Sequence, residues 1–172
     1  MRLLLPALAL LSSCCSQTKN IEWKQETLSG TLTVPDGWRK IVPDGTSQSQ
    51  RLFQKYGDHE TSSPTISLNV YSRFDPRFPK TQEGCAQSYL DGIHDVHDDS
   101  VTFSKIGANL NPQFGQVTLY HYRSEWFGDH LVSFLVSSGA FIHVELWTKD
   151  REQMKADQFS FEEFVKGVRM AK

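Results

Sequence analysis

The sequence predicts an α+β fold, a mostly antiparallel sheet of six or seven strands flanked by helices, and three features carry that expectation. Several segments rich in Val, Ile, Phe, Tyr and Trp alternate apolar and polar residues at the two-residue period of a strand. Two others space their apolar residues three and four apart, the period of a helix that covers a sheet face. The order is strands, helix, four strands, helix: an α+β sandwich.

Leu28 to Val34 and Arg51 to Tyr56 are the first strand candidates. Ile66, Leu68 and Val70 then alternate with Ser67, Asn69 and Tyr71, giving one buried and one wet face. From Thr81 to Val96 the spacing of Cys85, Tyr89, Ile93 and Val96 puts all four on one helical face and leaves Asp91, Asp95 and Asp98 elsewhere. Val101 to Ile106 is a weaker strand candidate, and Val117 to Arg123, Leu131 to Val136 and Phe141 to Trp147 are stronger ones. Phe127-Gly128-Asp129 turns the chain between the first two of these. Ser137-Ser138-Gly139-Ala140 turns it between the last two, with Gly139 expected to supply a positive φ. Near the C-terminus, Ser160-Phe161-Glu162-Glu163 has the spacing of a capping box and precedes the apolar stripe Phe164, Val165 and Val168. A short helical turn from Arg151 to Ala156 is expected ahead of it.

With 172 residues, 38% of them hydrophobic, the chain can bury the core of one domain, and no internal repeat or long linker divides residues 21–172. A net charge of −2 and a pI near 6.3, with no lysine and arginine cluster, give no electrostatic reason to expect nucleic acid as a ligand. Three cysteines, two of them adjacent, do not make a disulfide framework.

Residues 1–13 have the profile of a secretory leader: Arg2, an apolar run from Leu3 to Leu11, then small residues. Nine residues of helix reach only about 14 Å, half of a hydrocarbon layer, so the run is too short to span. Leu11-Ser12-Ser13-Cys14 resembles the bacterial lipobox, which implies that Cys14 is the first mature residue and carries the lipid, palmitate among its acyl chains. Cys15 stands where an aspartate would favour inner-membrane retention, so an outer-membrane anchor facing the periplasm is expected. Removing residues 1–13 takes one positive charge, Arg2, and moves the net charge from −2 to −3. Residues 14–20 read as a lipidated tether and 21–172 as the domain.

Gly30-Thr31-Leu32-Thr33-Val34-Pro35-Asp36-Gly37-Trp38 resembles the opening strand of PsbP-like and DcrB-like envelope proteins, and Phe161-Glu162-Glu163-Phe164-Val165-Lys166-Gly167-Val168 resembles their closing helix. The order of elements between the two agrees, while Gly167 stands where the family often has serine. The resemblance implies an α/β/α sandwich, no shared active site and a largely non-enzymatic role.

Among chemistry-bearing residues, His94 and His97 lie three apart on the first helix, and Asp91 lies three before His94, a spacing that could present a divalent ion. The same residues suit a solvated helix end. His121, His130 and His143 fall on consecutive strands, but turning the hairpin at Ser138-Gly139 sets Phe134 opposite His143 and Trp147 opposite His130. That separates the histidines by about 13 Å, too far for one ion. Cys85, on the apolar face of its helix, reads as a buried small hydrophobe. His143 and Glu145 share a strand face with Phe141 and Trp147, which suits an acid–base pair or a binding surface. Arg73, Phe74, Arg77 and Phe78 in one loop, with Tyr122, Trp126 and Phe127 around a hairpin, are residue types that anchor protein interfaces. The function expected is therefore non-enzymatic: a lipid-anchored periplasmic protein that binds another envelope macromolecule, in one version an immunity protein against a secretion-system toxin. It needs no cofactor and meets the membrane through its lipid alone. The alternative is a metal-dependent hydrolase using His94 and His97.

Overall fold

The computed structural model describes residues 19–25, 28–41, 50–55, 64–72, 79–96, 101–125 and 128–171. Seven strands form one antiparallel sheet. In chain order they are β3 (Trp38–Ile41), β4 (Gln50–Lys55), β5 (Thr65–Ser72), β6 (Ser104–Asn111), β7 (Gly115–Ser124), β8 (Gly128–Val136) and β9 (Ala140–Thr148), and across the sheet the order is β3-β4-β5-β9-β8-β7-β6. Two meanders therefore meet edge to edge where β5 pairs with β9. Helix α1 (Gln82–Val96) crosses between them. A second, three-stranded sheet has the order β1-β2-β10, from β1 (Lys19–Gln25), β2 (Leu28–Val34) and β10 (Arg169–Met170). Helix α2 (Arg151–Gly167) touches β2 of the small sheet and β6, β8 and β9 of the large one.

The alternating strands decide this layering. Central strand β8 is buried on both faces, its odd residues Leu131 and Leu135 packing towards α2 and its even residues Val132 and Phe134 towards α1. The main core lies on the α2 side, where Phe161, Phe164 and Val165 meet Phe53, Ile66, Leu68, Val144 and Leu146, and the Phe53 and Phe164 rings touch edge-on at 4.9 Å. A smaller core lies beneath α1, built from Cys85, Ala86, Tyr120, Tyr122, Val132 and Phe134.

Several expectations are corrected. Helix α2 does not begin at Ser160. It runs unbroken from Asp150, whose side chain accepts the Gln153 amide at 2.9 Å, while Gln153 Oε1 accepts the Lys149 amide at 2.9 Å. Burial of Met154, Phe161, Phe164 and Val165 along a single stripe requires that continuity. The β8–β9 hairpin is closed by Ser137, whose amide donates to Ala140 O at 2.9 Å and whose hydroxyl accepts the Ala140 amide at 3.1 Å. The positive φ falls instead at Gly37, Gly115 and Gly128. Strand β6 begins three residues after Val101, which is itself buried under α1. Strand β1 takes in Lys19 and Asn20, the last two residues of the segment read as tether, and pairs with β2 along its whole length, from Lys19 opposite Val34 to Gln25 opposite Leu28.

Two devices lock α2 to the sheets. Asn111, buried at the β6–β7 turn, donates to Val165 O at 2.8 Å and Val168 O at 3.1 Å, and its Oδ1 accepts the amides of Gln113 and Phe114. A Cβ at Gly167 would lie 2.7 Å from Thr33 Cβ and 2.9 Å from Thr33 O, so glycine lets the helix end approach β2. Among the described residues no helix is long and apolar enough to cross a membrane.

Candidate functional site

Strand β9 turns Phe141, His143, Glu145 and Trp147 towards the α1 side. Its neighbours in register are Phe134 for His143, Val132 for Glu145 and His130 for Trp147 on β8, and Ser67 for Glu145 on β5. Glu145 thus sits in the middle of a buried sheet face, 2% exposed. A lone carboxylate there would cost several kcal/mol, so it must be met by donors. Tyr122 Oη donates to it at 2.5 Å, His130 Nδ1 at 3.1 Å, and Tyr89 Oη, delivered by α1, lies 3.1 and 3.2 Å from its two oxygens. A carboxylate only accepts, so the His130 nitrogen facing it carries the proton. His143 Nε2 approaches the second oxygen no closer than 3.9 Å and has no hydrogen-bond partner among the described residues.

Burial by itself pushes the Glu145 carboxyl up, but the His130 hydrogen bond, the imidazoles of His143 and His130, and the Tyr122 hydroxyl outweigh it and hold the group down at about 2. Burial, reinforced by the charge of Glu145, raises Tyr122 and Tyr89 far above the ordinary phenol. Burial lowers His143, against the opposing pull of Glu145. Neither tyrosine can serve as a ready nucleophile at neutral pH. The cluster is built to hold one negative charge among hydrogen-bond donors.

Beside it lies a half-open pocket of about 210 Å³. Tyr71 and Phe141 form one wall, Cys85, Ser88 and Tyr89 of α1 another, and Pro79 and the His143 ring complete it. Tyr71 and Phe141 stack with centroids 4.5 Å apart and planes 13° from parallel. At the other end of β9, Trp147 stands 41% exposed next to His130, its ring centroid 6.1 Å from the imidazole. It lies near the end of the β7–β8 hairpin, where Asp129 pairs with Thr148.

The sequence-predicted residues fare unevenly. Tyr122 is buried at 5% exposure and serves Glu145 rather than the surface. Asp91 accepts from Gln87 at 2.6 Å, and His94 Nε2 meets Val101 O at 2.7 Å. No group of three or more His, Cys, Asp and Glu side chains suited to a metal occurs among the described residues. Cys14, Arg73, Phe74, Arg77, Phe78, His97, Trp126 and Phe127 lie outside the described residues. The register expected for His130 and His143 is the one observed, but their ring nitrogens are not held apart as that spacing along the strands implied: both side chains lean to Glu145, His130 Nδ1 at 3.1 Å from one oxygen and His143 Nε2 at 3.9 Å from the other. His121 faces the α2 side and pairs with Asp129 at 2.8 Å. Missed altogether were Tyr89 as a partner of Glu145 and Trp147 as an exposed ring.

This arrangement defines an antiparallel α+β sandwich whose chemistry-bearing groups lie mainly under one helix. More particularly, it is a PsbP/Mog1-like fold. The chain is similar to the solution structure of cyanobacterial PsbP (CyanoP) from Synechocystis, with a TM-score of 0.61 at 12% identity over 93% of this chain and 96% of that one. It is also similar to a Mog1 variant, with a TM-score of 0.54 at 10% identity over 89% and 95% of the two chains. A third similar structure is LpqN, described as involved in cell envelope biogenesis of Mycobacterium tuberculosis, with a TM-score of 0.52 at 14% identity over 90% and 92%. No protein-family model matches the sequence, and no curated protein matches it significantly.

Proposed function

We propose that this protein is a non-enzymatic, lipid-anchored envelope protein of the DcrB-like kind that binds a protein partner through an aromatic surface at the β7–β8 end of the large sheet. The observation that carries the reading is Trp147. A tryptophan held on a central strand, 41% exposed and braced by the buried His130, is a rigid aromatic of the type that dominates protein interfaces. The hairpin that it adjoins carries Trp126 and Phe127 in its sequence. A leader of residues 1–13 followed by Cys14 supports an envelope location for such a surface, and a mature charge of −3 suits a partner with a basic face. A secreted toxin neutralised by this domain is the sharper version.

The test has two parts. The full chain, expressed in a bacterial host, incorporates labelled palmitate and sediments with membranes, whereas Cys14→Ala does neither. A partner recovered with the wild-type chain is lost from Trp147→Glu, while that variant keeps the wild-type unfolding temperature. Labelling that survives Cys14→Ala, or a partner indifferent to Trp147→Glu, would count against the corresponding half of the proposal.

A further inference from the structure

The outer strand of a sheet leaves the N–H and C=O groups of alternate residues unpaired, and a long edge with few charges is a template for another strand. The two sheets here end in the outer strands β1, β10, β3 and β6. Three of these edges are blunted. Strand β1 presents Lys19, Glu22 and Lys24 to solvent, and the four-residue β3 presents Arg39 and Lys40. On β10 the side chain of Gln113 occupies the edge, its Oε1 accepting the Met170 amide at 2.7 Å and its Nε2 donating to Met170 O at 3.2 Å.

Strand β6 has none of these protections. It is eight residues long, and Lys105 is its only charged residue. That side chain reaches back over its own molecule, 6.0 Å from the centre of the Tyr120 ring and 3.9 Å from Glu83 Oε1. The strand instead shows Ile106, 40% exposed, and Leu110, 73% exposed. Asn109 and Asn111 are anchored on the α2 side through Glu162 O and Val165 O, so Ala108 and Leu110 share the opposite face. The register shift between Lys105 and Gly107 kinks only the start of the strand and leaves Gly107 to Asn111 regular.

We infer that β6 is the seat of a symmetric dimer, in which β6 of a second copy of this chain pairs antiparallel with it about a two-fold axis through Asn109. The occupant follows from symmetry, because a two-fold axis through the edge sets a strand antiparallel to itself and lets one surface supply both halves of the ladder. Centring on Asn109 puts Gly107 opposite Asn111 and Ala108 opposite Leu110, which uses the whole regular run. Each Leu110 then lies over the small Ala108 of the other copy, with the two leucines on a diagonal. The two Lys105 side chains fall at opposite ends of the pair, so like charges do not meet, whereas β3 paired with itself would crowd Arg39 and Lys40 against their own copies. Two strands of eight residues meet over about 26 Å and bury less than the roughly 1,200 Å² at which stable interfaces begin, so the dimer is weak, half-formed at about 100 μM. The inference does not depend on the reading of Trp147, which lies on the interior strand β9.

The test follows the full chain from about 10 μM to about 1 mM by sedimentation and by amide hydrogen exchange. The expected mass rises from one chain towards two. Outward amides within residues 107–111 exchange about fivefold more slowly at the high concentration, and those of Trp38–Ile41 are unchanged. Leu110→Lys, at an exposed position, keeps the wild-type unfolding temperature, holds the mass at one chain and removes the slowing. Should that variant fold poorly, Ala108→Lys, also exposed, gives the same result. A mass that stays at one chain up to 1 mM, slowing that spares residues 107–111, or association that survives both substitutions would each overturn the inference.

Discussion

Replacing Glu145 by glutamine tests whether the polar cluster under α1 is a charged device or ordinary packing. The carboxylate accepts from Tyr122, Tyr89 and His130 at 2.5 to 3.2 Å. Glutamine keeps the shape but presents an amide NH₂, itself a donor, to at least one of those donors. The group is completely buried, so solvent screening does not discount its shift from the ordinary 4.5 to about 2, which corresponds to roughly 3 kcal/mol of folded-state preference for the charged form. A depressed carboxyl pKa means that the unfolded chain binds the extra proton. The stabilisation is therefore complete above pH 4.5 and is lost as pH falls through 4.5 towards 2. Urea unfolding of wild type and Glu145→Gln across pH 2.5 to 7 should show a gap of about 3 kcal/mol at pH 7 that closes over that window. A gap that is absent, or one that stays constant with pH, would refute the reasoning.

Three further perturbations follow from the same structure. His143 is lowered by burial, so the unfolded chain takes up its proton first and stability declines as pH drops below about 6.5. His143→Leu should remove that part of the urea-unfolding slope and leave the Glu145 window in place. Asn111→Ala strips the Val165 and Val168 carbonyls of a buried donor and frees two amides, a loss of about 2–3 kcal/mol visible as a fall of roughly 4–12 °C in unfolding temperature. Gly167→Ala forces a methyl to within 2.9 Å of Thr33 O and should cost about 1–3 kcal/mol in a chemical-denaturation comparison, whereas Gly92→Ala, with open space around it, should not destabilise.

Much of the sheet was legible because its strands obey a strict period. Ile66 to Tyr71 and the last three strands alternate cleanly, and the hairpin at residues 137–140 fixes a register that sets Phe134 opposite His143 and Trp147 opposite His130. Strand β1 escaped because Lys19–Gln25 is mostly polar, and β3 because Trp38–Ile41 has only four residues; pairing with a neighbour makes each of them a strand. Ser160 misled because a hydroxyl three residues before a glutamate signals a helix start only where the preceding turn is free. Here Met154 and Phe161 are both buried on a continuous α2. The candidate site was half readable: a glutamate between His143 and Trp147 on one strand face already suggested a shared function. What closes the site comes from 56 residues away, where α1 carries the Tyr89 hydroxyl onto Glu145, and no local pattern records that meeting.

Trp147 bears most directly on the proposed role. A photo-crosslinking amino acid placed at position 147 of the full chain in its bacterial envelope should yield one dominant adduct with a second protein. The same amino acid at Lys155, exposed on α2, should yield none. If position 147 gives no adduct, or gives the same scattered products as position 155, the surface is not a binding site and the account of the protein as a partner-binding envelope module is wrong.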